Sequence, residues 1–369
     1  MTQKLIRVLR PVLDRHPAVK DVLRQADLGL GRARHRIAEH VPGVIQPRPR
    51  QLTVAVTAKC NLRCEGCRYG RDFMVGERIS MPTMLEILED ARAAGIPTLR
   101  LYGGEPLTHP DLAAMVAAAV RLGFGTYVTT NGLLLGTKIN ELHAAGLRDV
   151  TVGFYGSDGD GSGYTGLRLY LEKLDRSLRR VRERHGADMR LQLNYVLLRP
   201  FCSLEALGAT WDFAQRHGMA FHVDLVSWSV PFFANGVEKG LQFEEQDRPL
   251  LNAVSEELVR LKTRHPELIR HSATFLRSIP DWLILRERMR VPCDAYELLW
   301  IGADGTVQLC DTAFPLGNVR HQRLRDILFG EAHRKAARDG FRLDCPNCIC
   351  KAEPRIQKHA PSMAKYGAG

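Results

Sequence analysis

Between residues 50 and 228, short apolar runs alternate with longer amphipathic ones. Six runs read as strands: 52–57, 98–102, 126–130, 149–155, 190–198 and 221–228. Five stretches of helical period, 81–95, 110–123, 138–146, 166–186 and 203–218, separate them. Ser80 stands before the first of these as an N-cap, and Gly95 ends it. Apolar strands linked by helices require a parallel sheet covered by those helices, so the class is α/β. A partial barrel and an open doubly wound sheet both satisfy this pattern. In either, chemistry gathers at the C-terminal ends of the strands.

The 369 residues allow two or three domains. Residues 1–48 read as a basic helical segment, with Leu5, Ile6, Leu9 and Leu13 on one face and Val19, Val22 and Leu23 on another. Pro11, Pro17, Gly29 and Gly31 are expected to break it into short pieces. Residues 1–50 hold 11 of the 52 Lys and Arg but four of the 41 Asp and Glu, so +7 of the formal +11 charge lies there. That places the basic character in an N-terminal arm rather than on a nucleic-acid surface spanning the protein. The arm is read first as a cap on the next domain, and second as a peripheral contact with anionic lipid or an acidic partner. After the strand–helix region at 49–228, residues 229–290 read as a helical bridge. Residues 291–350 form a small cysteine-rich unit, and 351–369 a flexible tail.

Nine cysteines fall at 60, 64, 67, 202, 293, 310, 345, 348 and 350. No run of 18 apolar residues occurs, and the first 20 residues hold no leader-length apolar stretch, so the expected location is the cytoplasm. In a reducing compartment, clustered cysteines are metal ligands or reactive thiols rather than disulfides. Cys60, Cys64 and Cys67 lie within eight residues just after the first strand. Such a loop can wrap a cubane iron–sulfur cluster and ligate three of its irons. A single zinc ion is the alternative; it needs a fourth ligand, for which His109 and His143 are candidates.

The C-x3-C-x2-C spacing after a first strand resembles the signature of the radical S-adenosylmethionine (SAM) enzymes. Tyr102-Gly103-Gly104-Glu105-Pro106 at the second strand end resembles that family's GGEP motif. The resemblance implies a partial (β/α)6 TIM-like barrel. It implies that Gly103 and Gly104 let backbone approach the methionine part of SAM, and that Glu105 accepts its ammonium group. Asn131, in Thr130-Asn131-Gly132 at the third strand end, is implied to touch the ribose, although Asn-Gly also makes an ordinary turn. Two positions depart from the family pattern. Gly66 stands where an aromatic residue usually precedes the third cysteine, and Gly153-Phe154-Tyr155-Gly156 replaces a Ser-x-Asp-Gly-like stretch. Tyr69 or Tyr155 is the candidate for a replacement ring. The glycine-rich loop 156–166 reads as a lid or as a solvated linker.

Toward the C-terminus, Asp304-Gly305 signals a hairpin turn between Cys293 and Cys310. With Cys345, Cys348 and Cys350, this set resembles the auxiliary-cluster module of the SPASM/Twitch radical SAM enzymes. The implied ligands of one auxiliary [4Fe-4S] cluster are Cys293, Cys310, Cys345 and Cys348. Cys350 is either spare or a substitute, and a zinc ribbon is the competing reading. Cys202, after the fifth strand, is a possible hydrogen-atom donor and otherwise a packed thiol. Trp228, Phe232 and Phe233 are read as core rather than pocket.

The implied activity is reductive cleavage of SAM by a first [4Fe-4S] cluster, giving a 5′-deoxyadenosyl radical that takes a hydrogen atom from the substrate. An electron donor such as flavodoxin or ferredoxin is then required. Oxidation or epimerisation of a sugar-like or other small polar metabolite is the preferred outcome. Maturation of a ribosomal peptide stands second, and a non-catalytic zinc protein that binds nucleic acid third.

Overall fold

The computed structural model describes residues 17–69, 71–156, 163–228 and 240–367. Leu5, Ile6, Leu9, Leu13, Phe232 and Phe233 lie outside the described residues, as does 157–162 of the glycine-rich loop. Strands β1 (Gln51–Thr57), β2 (Thr98–Gly103), β3 (Gly125–Thr130), β4 (Asp149–Phe154), β5 (Arg190–Leu197) and β6 (Ala220–Leu225) sit side by side in chain order, all parallel. The helices Met81–Ala93, Leu112–Arg121, Leu135–Ala144, Tyr170–His185 and Leu204–Arg216 connect them. Local chemistry sets the first helix boundary as expected. The Ser80 hydroxyl accepts from the Thr83 N–H at 3.3 Å, and Gly95 takes the left-handed conformation at φ 85°.

Strand residues alternate between two environments. In β3, Thr126, Val128 and Thr130 are buried, while Tyr127 and Thr129 are half-buried. Thr53, Arg100, Tyr127, Thr151, Gln192 and His222, one from each of the six strands, line a single cavity of about 1050 Å³. A flat sheet cannot place six neighbouring strands around one cavity; a curved one can, and this is the partial barrel.

The C-terminal part departs from the expected separate unit. Strand β7 (Leu298–Ile301) pairs in parallel with β1, from Gln51 opposite Leu298 to Val54 opposite Ile301. Strands β8 (Thr306–Gln308) and β9 (Pro315–Asn318) then add in antiparallel fashion, giving one nine-stranded sheet. The cysteine-rich region is thus an extension of the barrel sheet. Its β7–β8 turn does carry Gly305 at φ 85°, as the hairpin signal required.

Both ends also differ from expectation. Pro17–His40 is one continuous helix through Gly29 and Gly31. A Cβ on Gly31 would meet the Lys358 side chain at 3.0–3.2 Å, so this glycine serves a close approach rather than a break. Val19, Val22 and Leu23 of this helix are exposed. The expected flexible tail instead holds helices Ala352–Lys358 and Ala360–Tyr366. Arg355, Ile356 and Lys358 are buried, and buried Asp294 accepts from Lys358 at 3.0 Å and pairs with His35 at 2.8 Å. Charge pairing across three segments supplies an order that local composition does not show. Among the described residues, no helix is long and apolar enough to cross a membrane.

Candidate functional site

The loop leaving β1 carries the first cysteines. It is held in place by the Arg63 and Glu65 N–H groups, which donate to Thr165 O at 3.3 Å and Tyr164 O at 2.8 Å, and by a Cys67 N–H to Cys64 O turn at 3.2 Å. Burial pushes the Cys60 thiol up to about 11, with the Glu105 carboxylate and Cys67 adding to the rise. Burial, then the neighbouring Cys67 and Cys60, raises Cys64; burial also raises Cys67. Only Arg71 opposes this for Cys64 and Cys67 through its charge, and its guanidinium donates to Cys64 O at 2.7 Å. Three thiols that disfavour ionisation together become thiolates when a metal centre supplies positive charge.

The motif at the end of β2 packs directly on this loop. Gly103 has φ 139°, and a Cβ there would lie 2.3 Å from Thr57 O; one on Gly104 would lie 2.4 Å from Lys59 O. The missing side chains are therefore already needed by the chain entering the cysteine loop. Glu105 has no exposed surface. Its carboxylate accepts from Leu107 N–H at 3.0 Å, the Thr130 hydroxyl at 2.7 Å and Asn131 N–H at 2.8 Å, and burial still pushes it up to about 7. The Asn131 side chain donates to Asn61 Oδ1 at 2.8 Å and accepts from Leu133 N–H at 3.1 Å. Cysteine loop, GGEP stretch and Thr-Asn-Gly turn thus form one hydrogen-bonded unit. Asn61 is a member that the sequence reading missed, because only tertiary contact distinguishes it from any loop asparagine.

Tyr69 packs edge-on to Phe73 at 5.0 Å, and its hydroxyl donates to Tyr102 at 3.5 Å. Tyr155 packs on Tyr164 at 5.3 Å, and its hydroxyl fills the space beside Gly153. His109 is not available as a metal ligand: Nδ1 accepts from Asp111 N–H at 3.1 Å, so Nε2–H donates to Ile79 O at 3.0 Å. His143 stacks on His185 at 4.1 Å and pairs with Asp188. Cys202 is buried in the main hydrophobic core and does not line the 1050 Å³ cavity. Trp228 is buried, and its indole donates to Asn347 O at 2.8 Å, tying the barrel to the C-terminal cysteines.

The second cysteine set has a different electrostatic setting. Cys293, Cys310 and Cys348 are buried, while Cys345 and Cys350 are half-buried. Burial pushes Cys293 up to about 12 and raises Cys310 and Cys345. The neighbouring Cys350 side chain, against the effect of burial, lowers Cys348. Beside them lies Arg355, with no exposed surface and, among the described residues, no carboxylate partner. Its guanidinium donates to Val291 O at 2.6 Å, Cys348 O at 2.7 Å and Asn347 Oδ1 at 3.1 Å, and it stacks on Trp282 at 4.7 Å. A buried cation held only by neutral acceptors, beside five thiols, fits an anionic centre with four thiolate ligands. Cys310, Cys348 and Cys350 border the cavity that the six strands enclose.

Residues 54–200 match the model of the radical SAM superfamily, and residues 293–351 match that of SPASM, an iron–sulfur cluster-binding domain. The chain thus carries a radical SAM domain and a SPASM domain, which imply SAM, a [4Fe-4S] cluster in the barrel and auxiliary iron–sulfur in the C-terminal region. It is 30% identical over 179 residues to the AdoMet-dependent heme synthase of Methanosarcina barkeri, covering 47% of this chain and 50% of that one. It is 40% identical over 106 residues to human molybdenum cofactor biosynthesis protein 1, covering 27% and 17%. The match thus spans half the length of the first relative and less of the second. Among solved structures, Streptococcus suis SuiB shares the fold with a TM-score of 0.59 at 19% identity, covering 90% of this chain and 78% of that one. The enzyme anSMEcpe, solved with AdoMet and the Cp18Cys peptide, gives 0.61 at 13%, covering 79% and 84%. SuiB is also solved bound to its precursor peptide SuiA. These peptide complexes overturn the preference for a small-molecule over a peptide substrate.

Proposed function

We propose that this chain is a radical SAM enzyme that abstracts a hydrogen atom from a peptide. The carrying observation is the cavity of about 1050 Å³, bordered by Cys310, Cys348 and Cys350 and lined by polar side chains from every barrel strand. Its volume lies at the upper end of pockets that enclose drug-sized ligands. The peptide complexes of SuiB and anSMEcpe support the same reading.

In this reading Cys60, Cys64 and Cys67 hold the first cluster and leave one iron without a protein ligand. Gly103, Gly104, Glu105 and Asn131 frame SAM at the strand ends. Cys293, Cys310, Cys345 and Cys348 hold one auxiliary cluster. The Cys350 thiol, hydrogen-bonded to Asp311 Oδ1 at 3.5 Å, stays outside the ligand set. When bound, the first cluster and SAM supply the electron and the 5′-deoxyadenosyl radical. The chain orients the substrate in the lumen and keeps water away from it.

The test uses anaerobically reconstituted enzyme, SAM, dithionite and a deuterium-labelled cell extract. The expected result is deuterated 5′-deoxyadenosine that disappears when the extract is first digested with protease. Deuterium transfer that survives digestion would overturn the peptide reading.

A further inference from the structure

Arg100 sits mid-strand in β2 and faces the lumen. Its Nε–H donates to the Thr129 hydroxyl at 3.0 Å, and its guanidinium stacks on the Tyr102 ring at 4.8 Å. These two contacts aim the fork and hold it flat. The Nη groups have no hydrogen-bond or ion-pair partner among the described residues. Five carboxylates line the same cavity, Asp149, Asp224, Glu267, Asp311 and Glu353, and none of them forms an ion pair with Arg100; Asp149 pairs with Arg190 and Glu353 with His271. Asp224 accepts from Asn194 Nδ2 at 2.9 Å and Leu225 N–H at 3.0 Å, and Asp311 accepts from Cys350. Asp224 and Asp311 act on this guanidinium through their charges but make no hydrogen bond to it, so its Nη donors are satisfied only when an acceptor enters the lumen. A planar fork with free donors matches a carboxylate in bidentate fashion.

We propose that Arg100 anchors a carboxylate of the substrate inside the barrel lumen. The proposal rests on the peptide reading only for the source of the carboxylate, an acidic side chain or a C-terminus. Arg355 already serves the auxiliary cysteines through their own loop carbonyls, so Arg100 is free for a visiting anion.

The test is phenylglyoxal labelling of Arg100 in reconstituted holoenzyme, mapped by peptide mass. The probes are N-acetyl-Gly-Glu-Gly-amide, its Gln counterpart and N-acetyl-Gly-Gly-Gly free acid, each with and without SAM. Several-fold protection by the Glu peptide identifies a side-chain carboxylate, and protection by the free acid a C-terminus; the Gln peptide should not protect. Equal protection by the Gln peptide, complete protection by SAM alone, or an Arg100 that never labels would each overturn the assignment. Saturation-transfer NMR of the protecting probe should lose its signal in Arg100→Gln at unchanged iron content. Carboxylate protection without protease-sensitive deuterium transfer would retain this site while rejecting the peptide reading.

Discussion

The two cysteine regions solve opposite electrostatic problems. Around Cys60, Cys64 and Cys67 the chain supplies little positive charge: Glu105 is buried without a cation beside it and is pushed up to about 7. Around Cys293–Cys350 the chain brings its own: Arg355 is buried against the cysteine carbonyls, and Lys358 and His35 hold Asp294 well below the usual carboxylate range. Arg355 gives the second region a buried cation of its own, set against the charge of Asp311 on the same thiols. The first is left to gain its positive charge from what binds there. A site that exchanges a cationic ligand each turnover has to be unfinished without it, and a structural or relay centre does not.

Four outcomes would break or sharpen this contrast. The largest is expected for Cys64→Ala. SAM-dependent 5′-deoxyadenosine formation should vanish, and iron should fall from about eight to about four per chain, with the auxiliary signal retained in EPR. Loss of all iron would show that the two regions do not assemble independently. Next comes Arg355→Met, which strands the carbonyls of Val291 and Cys348 and removes the buried charge. It should cost about 3 kcal/mol or more in chemical denaturation and shift the auxiliary midpoint potential negative. Arg355→Lys should recover part of the potential but not the stability, because it keeps charge without the fork.

The third concerns pH. Glu105 rises on folding from 4.5 to about 7. Its protonated form is therefore favoured by the fold. That stabilisation is complete below about pH 4.5 and is lost as pH climbs through 7, by about 3 kcal/mol in the apoprotein. Denaturation of wild type and Glu105→Gln at pH 5 and pH 7.5 should show this slope in wild type alone; a parallel slope in both would remove Glu105 as its origin. The smallest effect is expected for Asn61→Ala, which cuts the tie to Asn131 and should cost about 1 kcal/mol. A loss of first-cluster iron without auxiliary loss in this variant would sharpen the contrast further.

Much of this arrangement was legible in the residues. Parallel strand order follows from apolar runs of strand length separated by helix-period stretches, and the observed strands lie within a few residues of the expected ones. Both cysteine sets stand out in the sequence by their close spacing. Other features were not legible. Gly29 and Gly31 looked like helix breakers, yet one of them is a contact point for Lys358. The terminal 19 residues looked frayed, yet they carry the buried Arg355 and Lys358. Arg100 looked like any strand arginine until six strands curved around it.

Local sequence alone dictates the periodicity, the Ser80 cap, the turn at Asp304-Gly305 and the close spacing of the cysteines, since these depend on neighbours a few positions away. Tertiary structure alone decided that the cysteine-rich region joins the barrel sheet through β1 and β7, that Asn61 and Asn131 meet, and which buried charges have partners. Those facts depend on groups 64 to 247 positions apart, where pairing is settled by burial and long-range geometry rather than by any local pattern.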